Sequence, residues 1–207
     1  MINRYNFYTK YRKHFGRLNQ DQVNGMNFIL LKLDDSEVFN LANQYSGIIS
    51  NIMIETDWTF QPIREKGGYN YFRYLIGRLG SRTHKEAYDF RGGGYIQTTG
   101  RLNYITMSPY VKKKFPEIDI VANPNQITNP EVSWITLEAG LSKGLYTGKK
   151  ITDYLNEFKT DYKNFRRCIN GLDRANEIAG YAEKLYDCID FSENQFSQAE
   201  IDNIMLA

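Results

Sequence analysis

Residues 38–55 read VFNLANQYSGIISNIMIE, and the spacing of their apolar side chains decides the fold class. Val38, Leu41, Ala42, Tyr45, Ile48, Ile49, Ile52 and Met53 recur at three- and four-residue steps, the pattern of a helix with one buried stripe. Projected at about 100° per residue, Glu55 falls about a right angle from the centre of that stripe, beside Leu41 and Ile48. A carboxyl at the edge of an apolar face, near the end of its helix, is expected to be partly desolvated, which favours the proton-donating form. Upstream, Asn19 reads as an N-cap with Gln22 in capping-box position, opening a helix that buries Val23, Met26, Leu30 and Leu31. Further back, Tyr5, Phe7, Tyr8, Tyr11 and Phe15 read as a packed helix face rather than a platform for stacking bases.

Downstream of Glu55, residues 51–68 read NIMIETDWTFQPIREKGG. Glu65 follows Pro62, stands between Arg64 and Lys66, and precedes Gly67-Gly68, so a cationic, solvated loop is expected to keep it ionised. Two carboxyls in contrasting environments are what acid–base cleavage of a glycosidic bond requires: one protonates the leaving oxygen, and the other activates water. On this reading Glu55 is the acid and Glu65 the base. Residues 90–104, FRGGGYIQTTGRLNY, supply a glycine triplet and a run of amides and hydroxyls. The triplet lacks the Gly-Lys-Ser/Thr ending of a phosphate loop, and glycines also let a backbone approach a sugar closely. Tyr95 to Thr99 is expected to be a short strand with Gln97 and Thr99 on one face.

These segments, together with LYTGKKITDYLN and FRRCINGLDRANEIAGYAEKLYDCI, resemble glycoside hydrolase family 19, and most of all its phage and bacterial branch of chitinase-like endolysins. The resemblance runs roughly from Tyr5 to Ile189. Glu55-Thr56 match the family's helix-ending His-Glu-Thr, Glu65 the second glutamate, Gly92 to Asn103 the Gly-Arg-Gly-x-Ile-Gln-Leu-Thr segment and its Asn-Tyr pair, and Asn170-Gly171 the late Ile-Asn-Gly. The resemblance implies Glu55 and Glu65 as catalytic carboxyls and Thr99 as a hydroxyl that helps hold the attacking water. It implies substrate contacts from Gln97 and Asn103, with Thr56, Arg64, Tyr95 and Asn170 as further candidates. Three departures stand out: Ile54 replaces the usual histidine, Gly93 the arginine of Gly-Arg-Gly, and Glu177 an arginine that plant members carry in the last helix.

Composition bounds the alternatives. The chain has 207 residues with 26 Lys and Arg against 24 Asp and Glu, so nothing demands nucleic acid, and the length suits one domain, residues 1–207, with 191–207 as a C-terminal tail. The basic, aromatic N-terminus holds no apolar run long enough for a signal peptide or a membrane span, so the protein is expected to be made in the host cytoplasm, with no stable membrane insertion, and to act on the wall after release. No metal or organic cofactor is required, and His84 reads as a surface residue. Cys168 and Cys188 read as reduced, buried small hydrophobes. Between Gly67 and Phe90, the aromatic residues Tyr69, Tyr71, Phe72, Tyr74, Tyr88 and Phe90 are candidates for sugar faces or gap-filling, and Arg73, Arg78 and Arg82 for carboxylates. Later, Val132, Ile135, Leu137, Ala139, Leu141 and Leu145 suggest a buried helix, Thr152 or Asp153 a cap, and Asp173 the N-cap of a final helix through Ile178, Ala182 and Leu185.

The expected fold is mainly α: a lysozyme-like bilobal single domain with a substrate cleft and at most a small β element. The expected activity is that of a monomeric, peptidoglycan-degrading glycosidase; a chitinase of the same fold, and a non-catalytic wall-binding or virion structural protein, are the alternatives.

Overall fold

A computed structural model describes residues 1–193, and the chain is mainly helical over that range. Its backbone divides into two compact units. The first joins Met1–Phe60 to the segment from Ile151 onward, and the second is Gln61–Lys150. Most of the tail expected from Phe191 lies outside the described residues.

The first unit holds α1 (Arg4–Phe15), α2 (Gln20–Asp34) and α3 (Ala42–Glu55). The capping box expected at Asn19 is present in both directions: Asn19 accepts from the Gln22 N–H, and the Gln22 side chain accepts from the Asn19 N–H. Of its four expected core positions Val23, Met26 and Leu30 are buried, whereas Leu31 is half-exposed and Ile29 takes its place in the core. The stripe helix starts four residues later than its apolar pattern, because the Ser36 hydroxyl accepts the N–H groups of Val38 and Phe39 and holds them in a turn. Once begun, α3 is buried on every side from Asn43 to Met53 rather than along one stripe. Its polar residues are therefore hydrogen-bonded, as burial demands. Asn43 donates to the Asn156 carbonyl and Gln44 to the Leu155 carbonyl, while Ser46 meets the Tyr162 hydroxyl at 2.8 Å.

Those partners belong to a small hairpin, β3 (Leu155–Asn156) and β4 (Lys159–Thr160) in the order the chain meets them, and to α7 (Tyr162–Phe165). Asp161, rather than Thr152 or Asp153, caps α7 by accepting from the Asn164 N–H. The last helix, α8 (Ala175–Cys188), packs mainly on α3, with further contact to α1 and α7. Arg174, in a left-handed conformation, stands at its N-cap where Asp173 was expected. Cys168 and Cys188 are buried and form no disulfide, in line with the sequence reading.

The second unit contains β1 (Ile63–Arg64), a 3₁₀ helix at Tyr69–Leu75, α4 (His84–Asp89), β2 (Gly93–Gly94), α5 (Arg101–Lys114) and α6 (Pro130–Lys143). Its core gathers Phe90, Tyr104, Met107, Val111, Ile127, Val132 and Ala139 where α5 and α6 pack. A smaller cluster of Phe72, Leu75 and Ala87 lies between the 3₁₀ helix and α4. The β element sits earlier than expected: the strand is Gly93–Gly94, paired antiparallel with Ile63–Arg64, and Tyr95 to Gln97 form a turn. Among the described residues, no helix is long and apolar enough to cross a membrane.

Candidate functional site

Pairing of β1 with β2 brings the residue after β1 to the residue before β2. Ile63 faces Gly94 and Arg64 faces Gly93, so Glu65 lies beside Gly92. The Glu65 N–H donates to the Gly92 carbonyl at 2.8 Å, and the Gly92 N–H donates to Oε2 of Glu65 at 3.2 Å. Nε of Arg91 donates to the Glu65 carbonyl at 3.3 Å, and the Tyr74 hydroxyl donates to Oε1 at 3.4 Å. Arg91 is itself fixed, its guanidinium 4.2 Å from the centre of the Tyr88 ring. The carboxylate is thus held through both its backbone and its side chain.

Gly92 marks the point on which the site converges. A methyl group there would lie 2.8 Å from Oε1 of Gln97, 2.9 Å from Oε2 of Glu65 and 3.2 Å from Oγ1 of Thr99. Only a residue without a side chain leaves that space free. Gln97 adopts a left-handed backbone (φ 51), a conformation that costs a side-chain-bearing residue energy and that clusters at functional sites. Its amide nitrogen donates to the carbonyls of Ile63 and Gly94, at 3.3 and 3.1 Å, which turns Oε1 toward the space beside Gly92. The Thr99 hydroxyl donates to the Gln97 carbonyl at 2.8 Å and keeps lone pairs free to accept. Asn103 donates to the Thr99 carbonyl at 2.7 Å, one turn into α5, and so steadies that segment. Glu65, Gln97 and Thr99 are therefore brought together, with Asn103 behind them.

Two expected substrate contacts in this unit point inward instead. The Tyr95 side chain is fully buried, and burial drives its phenol well above the ordinary range. A ring enclosed in the core cannot stack on a sugar. The Arg64 guanidinium donates to the Tyr104 hydroxyl and to the Asp89 carbonyl, and desolvation lowers its pKa. Both terminal nitrogens of the half-buried guanidinium are therefore already engaged from within this unit.

In the first unit, Glu55 ends α3. The chain leaves the helix through a tight turn in which Asp57, Trp58 and Phe60 all have positive φ (53, 64 and 55). Thr56 is fully buried: its hydroxyl donates to the Ile52 carbonyl at 2.7 Å and accepts from the Phe60 N–H at 3.2 Å. It closes the helix rather than facing a substrate. Glu55 forms an ion pair with Arg166, which is almost wholly buried. Nη1 of Arg166 also donates to Oδ1 of Asn51, one helical turn before Glu55, at 3.1 Å, and Nε donates to the Asp173 carbonyl at 3.4 Å. The sequence offered Glu55 an apolar edge, but the structure gives it a buried cation.

Arg166 is the partner of Glu55 that sequence reading missed. The available signal was a carboxylate expected at the border of a core, which needs a cationic partner, though nothing in the pattern chose Arg166 over Arg167. Asn170 is exposed, four residues beyond Arg166, and its side chain accepts from the Gly171 N–H. Glu177 pairs on the surface with Arg174 at 2.7 Å. Among the described residues, no cluster of His, Cys, Asp or Glu has the arrangement of a metal site, and His84 contacts the Tyr69 carbonyl and ring.

Compared with known proteins, the chain matches no family model and no curated protein.

Proposed function

We propose that this chain is a peptidoglycan-degrading glycosidase of the endolysin type, an N-acetylmuramidase that hydrolyses β-1,4 bonds between amino sugars of the bacterial wall. The observation that carries the reading is the convergence of Glu65 Oε2, Gln97 Oε1 and Thr99 Oγ1 on the space left by Gly92. A carboxylate, an amide oxygen and a hydroxyl gathered side by side next to Gly92 suit the capture and deprotonation of a water molecule that approaches them. In this role Glu65 is the base, Thr99 accepts a hydrogen bond from the water, and Gln97 orients it or the N-acetyl group of the substrate.

Glu55 is the proton donor in this proposal on the strength of the resemblance alone, and substrate binding must loosen its ion pair with Arg166 before it can act. Inverting hydrolysis then requires the two carboxyls to lie on opposite faces of one sugar, roughly 6.5–9.5 Å apart. A lysozyme-like fold with a substrate cleft belongs to the same proposal, as does the resemblance to glycoside hydrolase family 19, whose two glutamates Glu55 and Glu65 match. The reaction needs a proton donor, a base and water, all of which side chains of this chain and solvent supply.

The test is release of soluble reducing ends from purified peptidoglycan by the wild type, Glu55→Gln and Glu65→Gln. The proposal expects release by the wild type and a loss of at least a hundredfold in each variant, with circular dichroism unchanged. Equal release by wild type and Glu65→Gln overturns it.

A further inference from the structure

The segment Tyr69–Leu75, YNYFRYL, forms a 3₁₀ helix directly after the Glu65 loop. Its period of three residues sorts its aromatic side chains. Tyr69, Phe72 and Leu75 share one side: Phe72 and Leu75 are buried, and Tyr69, 47% exposed, is anchored on the His84 ring at 4.0 Å between centroids. Tyr71 and Tyr74 share another side and are 61% and 46% exposed. Their rings touch at 6.0 Å between centroids and stand at 78° to each other, so they form a corner with one flat face and one edge.

Two contacts tie that corner to the candidate site. The Tyr74 hydroxyl donates to Oε1 of Glu65, and the Tyr71 ring lies so close to Gly67 that a methyl group there would be 2.7 Å from Cδ1. Isolated exposed tyrosines need no explanation. A contacting pair at positions i and i+3, one of whose hydroxyls reaches a carboxylate that also accepts from the Gly92 N–H, is a different case. Tyrosine also suits a ligand that is apolar on one face and polar at its rim, which describes a pyranose ring: axial C–H groups on the faces, hydroxyls and amides around the edge.

Building on the functional reading above, we propose that Tyr71 and Tyr74 form a sugar-binding subsite next to Glu65. One ring lies under the face of an amino sugar and the other abuts its edge, while the Tyr74 hydroxyl keeps the Glu65 carboxylate turned toward the reacting bond. Burial and the negative charge of Glu65 together push the Tyr74 phenol up to about 12, so it stays a hydrogen-bond donor across the range in which a wall hydrolase works.

The test is isothermal titration of the full chain with the β-1,4-linked N-acetylglucosamine tetramer, alongside initial rates on soluble peptidoglycan. Tyr71→Ala and Tyr74→Ala should each weaken binding about three- to tenfold, the scale of one aromatic contact. Tyr71→Phe keeps the ring and should bind as wild type, which a merely structural effect of the alanine change would not require. Tyr74→Phe should retain binding yet shift the pH profile of the rate, because it loses the hydroxyl on Glu65. A wild type that binds and cleaves, with both alanine variants unchanged, overturns the subsite and leaves the functional reading standing. A wild type that neither binds nor cleaves overturns both.

Discussion

Replacing Gly92 with alanine adds one methyl group at the centre of the candidate site, and its effects on stability and activity should separate sharply. The new carbon meets Gln97 Oε1 at 2.8 Å, Glu65 Oε2 at 2.9 Å and Thr99 Oγ1 at 3.2 Å. All three are ends of side chains, so each gives way by a few tenths of an ångström to reach ordinary contact. Overpacking of this kind costs about 1–3 kcal/mol, and yielding partners place it near the low end. Against that, loss of the glycine's freedom in the unfolded chain returns about 0.4–1 kcal/mol. The net change is at most about 2 kcal/mol, a few degrees in Tm for a chain of this size. Activity should fare far worse. The methyl pushes the Glu65 carboxylate, the Gln97 amide and the Thr99 hydroxyl away from one another, and a misplacement of about 1 Å at a reacting group costs on the order of a hundredfold. The assay pairs thermal unfolding with initial rates of peptidoglycan solubilisation. Wild-type rates in a folded Gly92→Ala protein would refute the reasoning, because the placement of Glu65, Gln97 and Thr99 would then serve no step of the reaction.

Three further perturbations follow from the packing. Arg166→Ala leaves Glu55 without its buried partner and should cost about 3–5 kcal/mol in urea unfolding, the usual penalty for breaking such a pair; a loss below about 0.5 kcal/mol would contradict the burial seen here. Burial pushes the Cys188 thiol from 9.0 up to about 12 and the Tyr104 phenol from 10.0 up to about 12. Both acids have raised folded values, so their contribution is intact below pH about 9 and is lost as pH climbs toward 12. The urea midpoint should therefore fall between pH 9 and 11, less so in Cys188→Ala, and a flat profile would count against it. Gly140→Ala should destabilise even though alanine favours a helix interior by about 1 kcal/mol. Its methyl would sit 1.9 Å from Cε2 of Tyr146, whose hydroxyl is held by Thr98 and Thr136; a raised Tm would refute this.

Local rules in the sequence reached most of the helical framework. The Asn19–Gln22 box, the stripe ending at Glu55, and the run through Val132, Leu137 and Leu141 depend on residues within a few positions of one another, and all three appear as helices. What escaped is non-local. A strand of two glycines carries no propensity signal, so Gly93–Gly94 was passed over for Tyr95 to Thr99, and its pairing with Ile63–Arg64 across some thirty residues decided where Glu65 lies. The same pairing buried Tyr95 and turned Arg64 inward. Glu55 and Arg166 lie over a hundred positions apart in sequence and meet because α3 and α7–α8 pack together. Gln97 and Thr99 do face one space, as expected, but a left-handed turn brings them there rather than strand alternation.

The central claim is that Glu55 and Glu65 cleave a bond between amino sugars. Mass spectrometry of the fragments that the wild type, Glu55→Gln and Glu65→Gln release from purified peptidoglycan tests it most directly. The account predicts fragments with N-acetylmuramic acid at the reducing end from the wild type and none from either variant. Reducing-end N-acetylglucosamine would move the cut to the other linkage. No fragments from the wild type, with chitin oligomers also left intact, would contradict the account and favour a wall-binding protein that performs no hydrolysis.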